Sequence, residues 1–532
     1  LMKRNKIILV LLMILLSVIL YYFMLPPINL TAPTFWSYIF MLGFIYIMLL
    51  IPLTMKDNIK NRTFNIKPTK GIKWILSIVI SIIGIMFIIT FLSTPLFNAK
   101  KYAKRITVDE TRKFSEDVLP VDFTKIPLLD KASSQKLGDR KMGQATDWVS
   151  QFNVSSLYTQ INYNDQIVRI TPIEYDGLIK YFTNRKDGIK GYITVNSVNG
   201  EAKLVTLDKG MKYMPSAYFF ENLYRKLRIK YPTIIFDQAN FEVDNEGNPY
   251  WIIPTVKYTA IGLKKEITGV IIFNPITGES VKKKVGEVPT WIDHVYPAEL
   301  IIEQLNQWGE YKNGFLNSIF GQKNVINTTK GYTYLVLDDD VFLYTGITSV
   351  SGDESNLGFV MVNLRTKETR YYAAPGAEEY SAMASAEGLV QEKEYDASFP
   401  LLINLNNKPT YLLSLKDNAG LVKMYAFIDV TDYQKVVVSD ASLGIEAAAK
   451  KYLGDITDYD ENNLLKKDIT IKSITGAVID SNTYYYFTDI DNNFYMASIK
   501  IDKNVLPFIK VGDKVKITYS VSTINQVATI EK

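Results

Sequence analysis

The chain has 532 residues, a formal net charge of +5 at neutral pH, one histidine, 35 tyrosines and no cysteine. This composition excludes disulfides, zinc–thiolate sites and cysteine nucleophiles, and leaves imidazole acid–base chemistry a single source. The weak, dispersed positive charge is not the concentrated basic face of a nucleic-acid binder.

The first hundred residues carry three apolar runs, 7–25, 35–53 and 74–97, none with a charged residue. Each is long enough for the roughly 20-residue helix that crosses a bilayer. Tyr21, Tyr22, Phe35, Trp36 and Trp74 sit near their ends, as interfacial anchors do. No small-residue cleavage site follows the first run, so it reads as a span rather than a leader. Lys3, Arg4 and Lys6 precede it, and Lys56, Lys60, Arg62, Lys67, Lys70 and Lys73 lie between runs two and three. Four basic residues (Lys100, Lys101, Lys104, Arg105) follow the third run, against those nine. The positive-inside rule therefore predicts a multi-pass membrane protein with a cytoplasmic N-terminus and an extracytoplasmic C-terminal region. The runs lack the ionisable groups that mark a conduction pathway, which argues for an anchor.

Residues 98–138 are mixed and polar, with Pro120, Pro127 and Gly138, and read as a stalk or linker. A rhythm then begins. Helix-like segments start at Asp139, Ser216, Pro297, Gly376 and Ser442, spaced by 77, 81, 79 and 66 residues. Each is followed by strand-like hairpins, and such a near-constant period signals a repeated unit. Three hairpins share a phrase: KGYITVNSVNGEA (190–202), TGVIIFNPITGES (268–280) and LGFVMVNLRTKET (357–369). In these, Gly191, Gly269 and Gly358 precede Asn196, Asn274 and Asn363 by five residues. Gly278 supplies the positive φ that a tight turn needs.

With DNEGNPYWIIPTV ahead of GVIIFNPITGES, the unit resembles the PepSY family of small extracytoplasmic domains, over about residues 237–280 and by pattern in its neighbours. The resemblance implies a helix on an antiparallel sheet, and a regulatory, inhibitory or binding module rather than a defined catalytic site.

From Asp468 the sequence holds four or five strand-like pieces. VGDKVKITY (511–519) looks like the turn and strand of a small OB-type barrel. Tyr485 and Phe487 are placed in the sequence to stack bases. With nine lysines against seven acids from Lys466 onward, the charge does not support a phosphate-tracking groove.

The fold expected is thus α+β: transmembrane helices (1–97), stalk (98–138), an α+β module (139–215), two PepSY-like modules (216–296 and 297–375), a fourth module (376–441), and a helix with a small OB-like β-barrel (442–532).

Candidate chemistry is sparse. His294 lies beside Asp293 in a loop, but no G-x-S-x-G elbow accompanies it, and a histidine satisfied in place is the expectation. Asp338, Asp339 and Asp340 form an acidic turn without calcium-loop spacing. The loop 345–358, with Thr348, Ser349, Asp353, Glu354 and Ser355, and the segment from Gly376, with Glu378 and Glu379, are the best candidate binding loops. No phosphate-binding, dinucleotide or zinc-protease motif occurs, and neither cofactor nor metal is expected. The sequence therefore predicts a non-enzymatic, membrane-anchored scaffold, assembly or regulatory protein of the bacterial cell envelope, with envelope proteins or wall polymer as partners. The alternatives are a wall hydrolase acting through Asp353 and Glu354 or Glu378 and Glu379, and a nucleic-acid binder using the C-terminal barrel.

Overall fold

The structure is a computed structural model describing residues 2–60, 70–337, 339–350, 355–453, 464–479, 482–499, 501–521 and 524–532. Three helices open it: α1 (Met2–Met24), α2 (Pro33–Lys60) and α3 (Lys70–Leu92). In α1 the stretch Ile7–Met24 has a mean hydropathy of 2.9 over 18 residues, long and apolar enough to cross a membrane. Among the described residues it alone meets that test unaided. The apolar part of α2, Pro33–Leu49, is shorter, and the Leu76–Leu92 part of α3 reaches the length only with α4 (Pro95–Ala103), from which it is bent by 52°. The third apolar run breaks after Leu92 because Pro95 opens a new helix.

The chain folds into two compact units, Leu1–Leu421 with Asp429–Gln434, and Val422–Ile428 with Lys435–Lys532. In the first, β1 (Val108–Asp109), α5 (Phe114–Asp117), α6 (Lys131–Gly143) and α7 (Thr146–Val149) lead to three sheets of one connectivity. In sheet one, β2 (Phe152–Val154) and β3 (Thr159–Tyr163) both pair with β4 (Gln166–Tyr175). After α8 (Gly177–Asn184), β5 (Ile189–Asn196) pairs with β4, and β6 (Ala202–Met211) with β5. Past α9 (Leu223–Lys230), β7 (Ile235–Phe236) and β8 (Asn240–Val243) both pair with β9 (Pro249–Lys257). There, β10 (Glu266–Phe273) and β11 (Ser280–Lys284) complete sheet two. Past α10 (Ala298–Tyr311), β12 (Ile326–Thr328) and β13 (Thr333–Leu337) both pair with β14 (Asp340–Ser349). Sheet three continues with β15 (Ser355–Asn363) and β16 (Thr369–Ala377), and β1 joins β16 in parallel. After α11 (Glu379–Leu389), β17 (Asp396–Ala397) and β18 (Leu401–Leu405), both on β19 (Lys408–Lys416), repeat the opening pairings.

The recurring phrase has a physical cause. A Cβ on Gly191, Gly269 or Gly358 would collide with the carbonyl oxygen of Val205, Lys283 or Tyr372 on the next strand. All three glycines also sit where the strand register shifts, against the next strand for Gly191 and Gly358 and against the preceding strand for Gly269. Five residues on, the Asn196, Asn274 and Asn363 side chains each accept two backbone N–H groups, from 198 and 199, 276 and 277, and 365 and 366, at 2.9–3.1 Å. This Asx turn closes the hairpin. The left-handed residue that comes next is Gly200 (φ 76°), Gly278 (φ 77°) or, in the third copy, Lys367 (φ 68°).

Neighbouring sheets share cores rather than standing apart. Trp251, Ile253, Ile271 and Phe273 pack with sheet one, while Ile252 and Val270, on the opposite face, pack with Leu300, Ile301, Val341 and Val360. Both faces of sheet two are covered, which is why β9 reads as a nearly unbroken apolar run.

The helix ends are tied into this body. Arg228 Nε donates to the Leu25 carbonyl at 2.9 Å, Ile28 N–H donates to Pro232 O at 2.8 Å, and Ala32 is buried in the second shared core. Below α4, Arg105 donates to Glu266 (2.8 Å), Glu303 (2.7 Å) and Gln307 (2.6 Å), and to the Lys265 carbonyl. Residues 98–138, expected as a stalk, lie along the body: Phe114, Val118 and Ile126 are buried, and Leu129 N–H donates to Ser197 O at 3.0 Å.

In the second unit β20 (Val422–Asp429) pairs with β21 (Val436–Asp440), and Tyr452 of α12 (Ile445–Leu453) lies 5.8 Å from Phe427. A closed barrel completes it, with β22 (Leu465–Ile479), β23 (Asn482–Asp489), β24 (Phe494–Ser498), β25 (Lys514–Ser520) and β26 (Asn525–Glu531) in the order β22-β23-β24-β26-β25. Ile471, Phe487, Leu506, Ile517 and Val527 fill it.

Candidate functional site

The first unit has an apolar-floored cleft of about 340 Å³ lined by residues 117–122 and 125–127, Leu335–Leu337 of β13 and Leu401–Asn404 of β18. Its walls follow from topology. Among the named strands of the described residues β13 pairs with β14 alone, and β18 with β19 alone, so each turns one strand edge outward. Residues 118–121 already use part of the β18 edge. Val121 N–H donates to Asn404 O at 2.9 Å, Asn404 Nδ2 donates to Val118 O at 2.6 Å, and Pro120 bridges Asn404 in parallel. The lining is chiefly apolar, with Val118, Ile126, Leu335, Leu401, Leu402 and Ile403 as its floor. Both carboxylates at its rim are engaged: Asp117 accepts from Tyr372 (3.0 Å) and Arg112 (3.2 Å), and Asp122 accepts from Thr124 N–H (3.0 Å) and Oγ1 (2.6 Å). An apolar floor between strand edges suits an extended chain, held by backbone hydrogen bonds with side chains in alternate pockets.

A second polar grouping is buried where the first three sheets meet. Glu242 on β8 accepts the backbone N–H of Asp293 at 2.9 Å and of His294 at 3.1 Å. Asp293 accepts Asn162 N–H at 2.8 Å. The His294 Nε2–H donates to the Gln160 carbonyl at 2.6 Å, and its ring meets Tyr334 edge-on. Burial pushes Glu242 up to about 7 against those two N–H groups, and burial with the adjacent Glu242 charge raises Asp293 well above the carboxylate range. Burial lowers His294 to about 4, opposed by the Gln160 hydrogen bond. These hydrogen bonds and the ring contact tie β3, β8 and β13 to residues 293 and 294.

The residues singled out from sequence fall in different places. Thr348 and Ser349 end β14, paired with Asn327 and Ile326. Asp353 and Glu354 lie outside the described residues, and Ser355 pairs through its backbone with Ala377. Glu378 takes the N-cap position of α11, its side chain making no capping bond. Glu379 is fully buried and accepts from Tyr344 at 3.3 Å, near the Asn356–Tyr411 pair. Burial raises its pKa, opposed by hydrogen bonds from Thr329, Asn356 and Tyr344. Phe487 is 2% exposed and stacks on Tyr495 inside the barrel, while Tyr485 packs against that core half-buried. Of the acidic turn, Asp338 lies outside the described residues, and both carboxylate oxygens of Asp340 accept from Arg365, through its Nε and Nη2, at 2.7 Å. Among the described residues no three His, Asp or Glu side chains converge as a metal site would need. The cleft escaped sequence reading because its walls come from three segments more than two hundred residues apart at their extremes. The one usable signal was the short, nearly continuous apolar run of β13 and of β18.

No family model matches the chain, and no curated protein matches it. The solved structures that match include the crystal structure of the GH43_1 enzyme from Xanthomonas citri complexed with xylotriose, at 10% identity over 75% of this chain and 96% of that one. Its TM-score of 0.17 is too low for the likeness to bear on fold or activity. The PepSY resemblance rests on the quoted residues alone.

Proposed function

We propose that the chain is a membrane-anchored extracytoplasmic scaffold or assembly factor of the bacterial cell envelope, which holds an extended segment of an envelope protein or a wall-polymer peptide in the cleft between β13 and β18. The observation that carries this reading is the cleft itself: two outward strand edges over an apolar floor, with its rim carboxylates already engaged. Three antiparallel spans are part of the proposal. The C-terminal end of α1, the N-terminal end of α2 and the segment after α3 all meet the same body, as that threading requires. Supporting the PepSY-like reading of the units is that each of the three sheets is antiparallel within its own hairpins and a helix precedes it in the chain. The barrel, with one long first strand pairing two neighbours and a single parallel contact, fits an OB-like fold used as a contact surface.

A photo-crosslinking residue at Leu337 in the full chain, in intact envelopes, tests the reading. Crosslinked protein or wall peptide is expected, and it should disappear when Leu335→Lys is added. If the Leu337 probe captures nothing, or if capture persists undiminished in the Leu335→Lys variant, the cleft is not the binding site.

A further inference from the structure

Exposed large apolar side chains on the body outside the spans are mostly scattered singly, as on any protein surface. Two groups are not. The first comprises Leu178, Ile179 and Phe182 on α8 with Phe219 and Phe220, Ile179 being 78% exposed. The second comprises Leu316, Ile319 and Phe320 just past α10, Phe320 being 82% exposed.

The first group reaches the C-terminal end of α1, and the second directly follows Phe315, from which ring contacts lead to the C-terminal end of α3. Phe182 lies 5.9 Å from Phe219, and Phe220 lies 6.4 Å from Tyr22 near the end of α1. Arg225 holds its guanidinium 4.5 Å over the same Tyr22 ring, while Arg228 is bonded to Leu25. On the other side, Phe315 lies 6.4 Å from Tyr311, which lies 6.2 Å from Tyr102. The Tyr102 hydroxyl donates to the carbonyl of Ser93, one residue past the end of α3, at 2.9 Å. Phe219 has φ 52°, a conformation an aromatic residue seldom takes, and it turns two successive rings outward together.

We propose that these two groups are membrane wedges: the body lies on the bilayer, with α8, Phe219 and Phe220 inserted beside α1 and the 316–320 segment inserted beside α3. The occupant is the lipid surface, for two reasons. An apolar patch continuous with the end of a membrane helix sits at the level where the acyl region meets the headgroups, and this coincidence occurs twice. Basic side chains also flank both wedges. Lys180, Lys186, Arg225 and Lys226 border the first, and Lys312 and Lys323 the second. Their stems reach along apolar surface while their charges meet phosphate. This is the pattern of helices lying in the interface plane, about 5–10 Å into the headgroup boundary.

The inference rests on reading α1 as a membrane span, and the experiment separates the two claims. The chain has no cysteine, so Val18→Cys, Ile179→Cys, Phe182→Cys and Phe320→Cys each give a single labelling site in the full-length protein. Each variant, carrying an environment-sensitive fluorophore in nanodiscs of phosphatidylglycerol and phosphatidylcholine, is exposed to lipids spin-labelled at shallow or deep acyl positions and to aqueous iodide. The expected result is loss of emission at 179, 182 and 320 with the shallow lipid label and little loss with iodide. Position 18 should respond to the deep label. Quenching of 179, 182 and 320 by iodide alone, with 18 still quenched by the deep label, overturns the wedges and leaves the anchor standing. If position 18 answers only to iodide, the anchor fails and the wedges with it.

Discussion

Replacing Arg105 by methionine should detach the segment after α4 from the body. The Arg105 side chain is 3% exposed and donates to Glu266, Glu303, Gln307 and the Lys265 carbonyl. Removing one member of a buried pair costs about 3–5 kcal/mol when the partner stays buried and unpaired. Here Glu266 is 37% and Glu303 47% exposed, so both can recover water, and Lys367 remains 3.6 Å from Glu266. The loss should therefore fall to about 2–3 kcal/mol, mostly as local opening of residues 98–113. Pulse proteolysis of the full chain in nanodiscs measures it, with cleavage in that segment rising while the sheets stay protected. Arg105→Lys, which keeps charge but loses the planar fork, should fall between. A methionine variant within about 0.5 kcal/mol of the parent would refute the clamp, since that is the scatter of ordinary surface changes.

Two further predictions concern the sheets. Glu242 and Asp293 both have raised pKa values in the fold, so they add stability below their ordinary values of about 4 and lose it as pH rises toward 7 and beyond. His294, lowered by burial, acts in reverse, its contribution fading as pH falls from about 6.5 to about 4. Asp293→Asn keeps an acceptor for Asn162 N–H and removes the charge facing Glu242. It should match the parent near pH 4.5 and melt higher at pH 8, and an identical difference at both pH values would rule out the coupling. Gly269→Ala should cost about 1–3 kcal/mol by forcing the Lys283 carbonyl of β11 away from β10, whereas Gly286→Ala, with open space around it, should be neutral by thermal unfolding.

The parts of this molecule that were legible in its sequence are the local ones. The glycine–asparagine phrase encodes a bulge and an Asx turn within a dozen residues, so its recurrence could be read directly. Apolar runs without charge announced α1, and alternation announced the barrel strands. The features that stayed hidden depend on partners remote along the chain. Residues 98–138 read as a stalk because nothing local shows Val121 bonding Asn404 or Arg105 meeting Glu303. Glu379 read as a loop carboxylate because Tyr344, which hydrogen-bonds it, lies 35 residues upstream, and the Tyr411 of the neighbouring Asn356–Tyr411 pair lies about as far downstream. Phe487 looked available for stacking because a strand's two faces are equivalent until the barrel closes.

Sheet two, covered on both sides, sets a limit on how such a protein can change over time. In a chain of beads, a middle copy can be gained or dropped and its neighbours simply rejoin. Here, excising the copy that holds Trp251 and Ile252 would strip hydrocarbon cover from the sheets on either side of it in one event. The copy number is therefore frozen by solvent, and descendants of this chain should diverge in their loops long before they differ in how many sheets they carry.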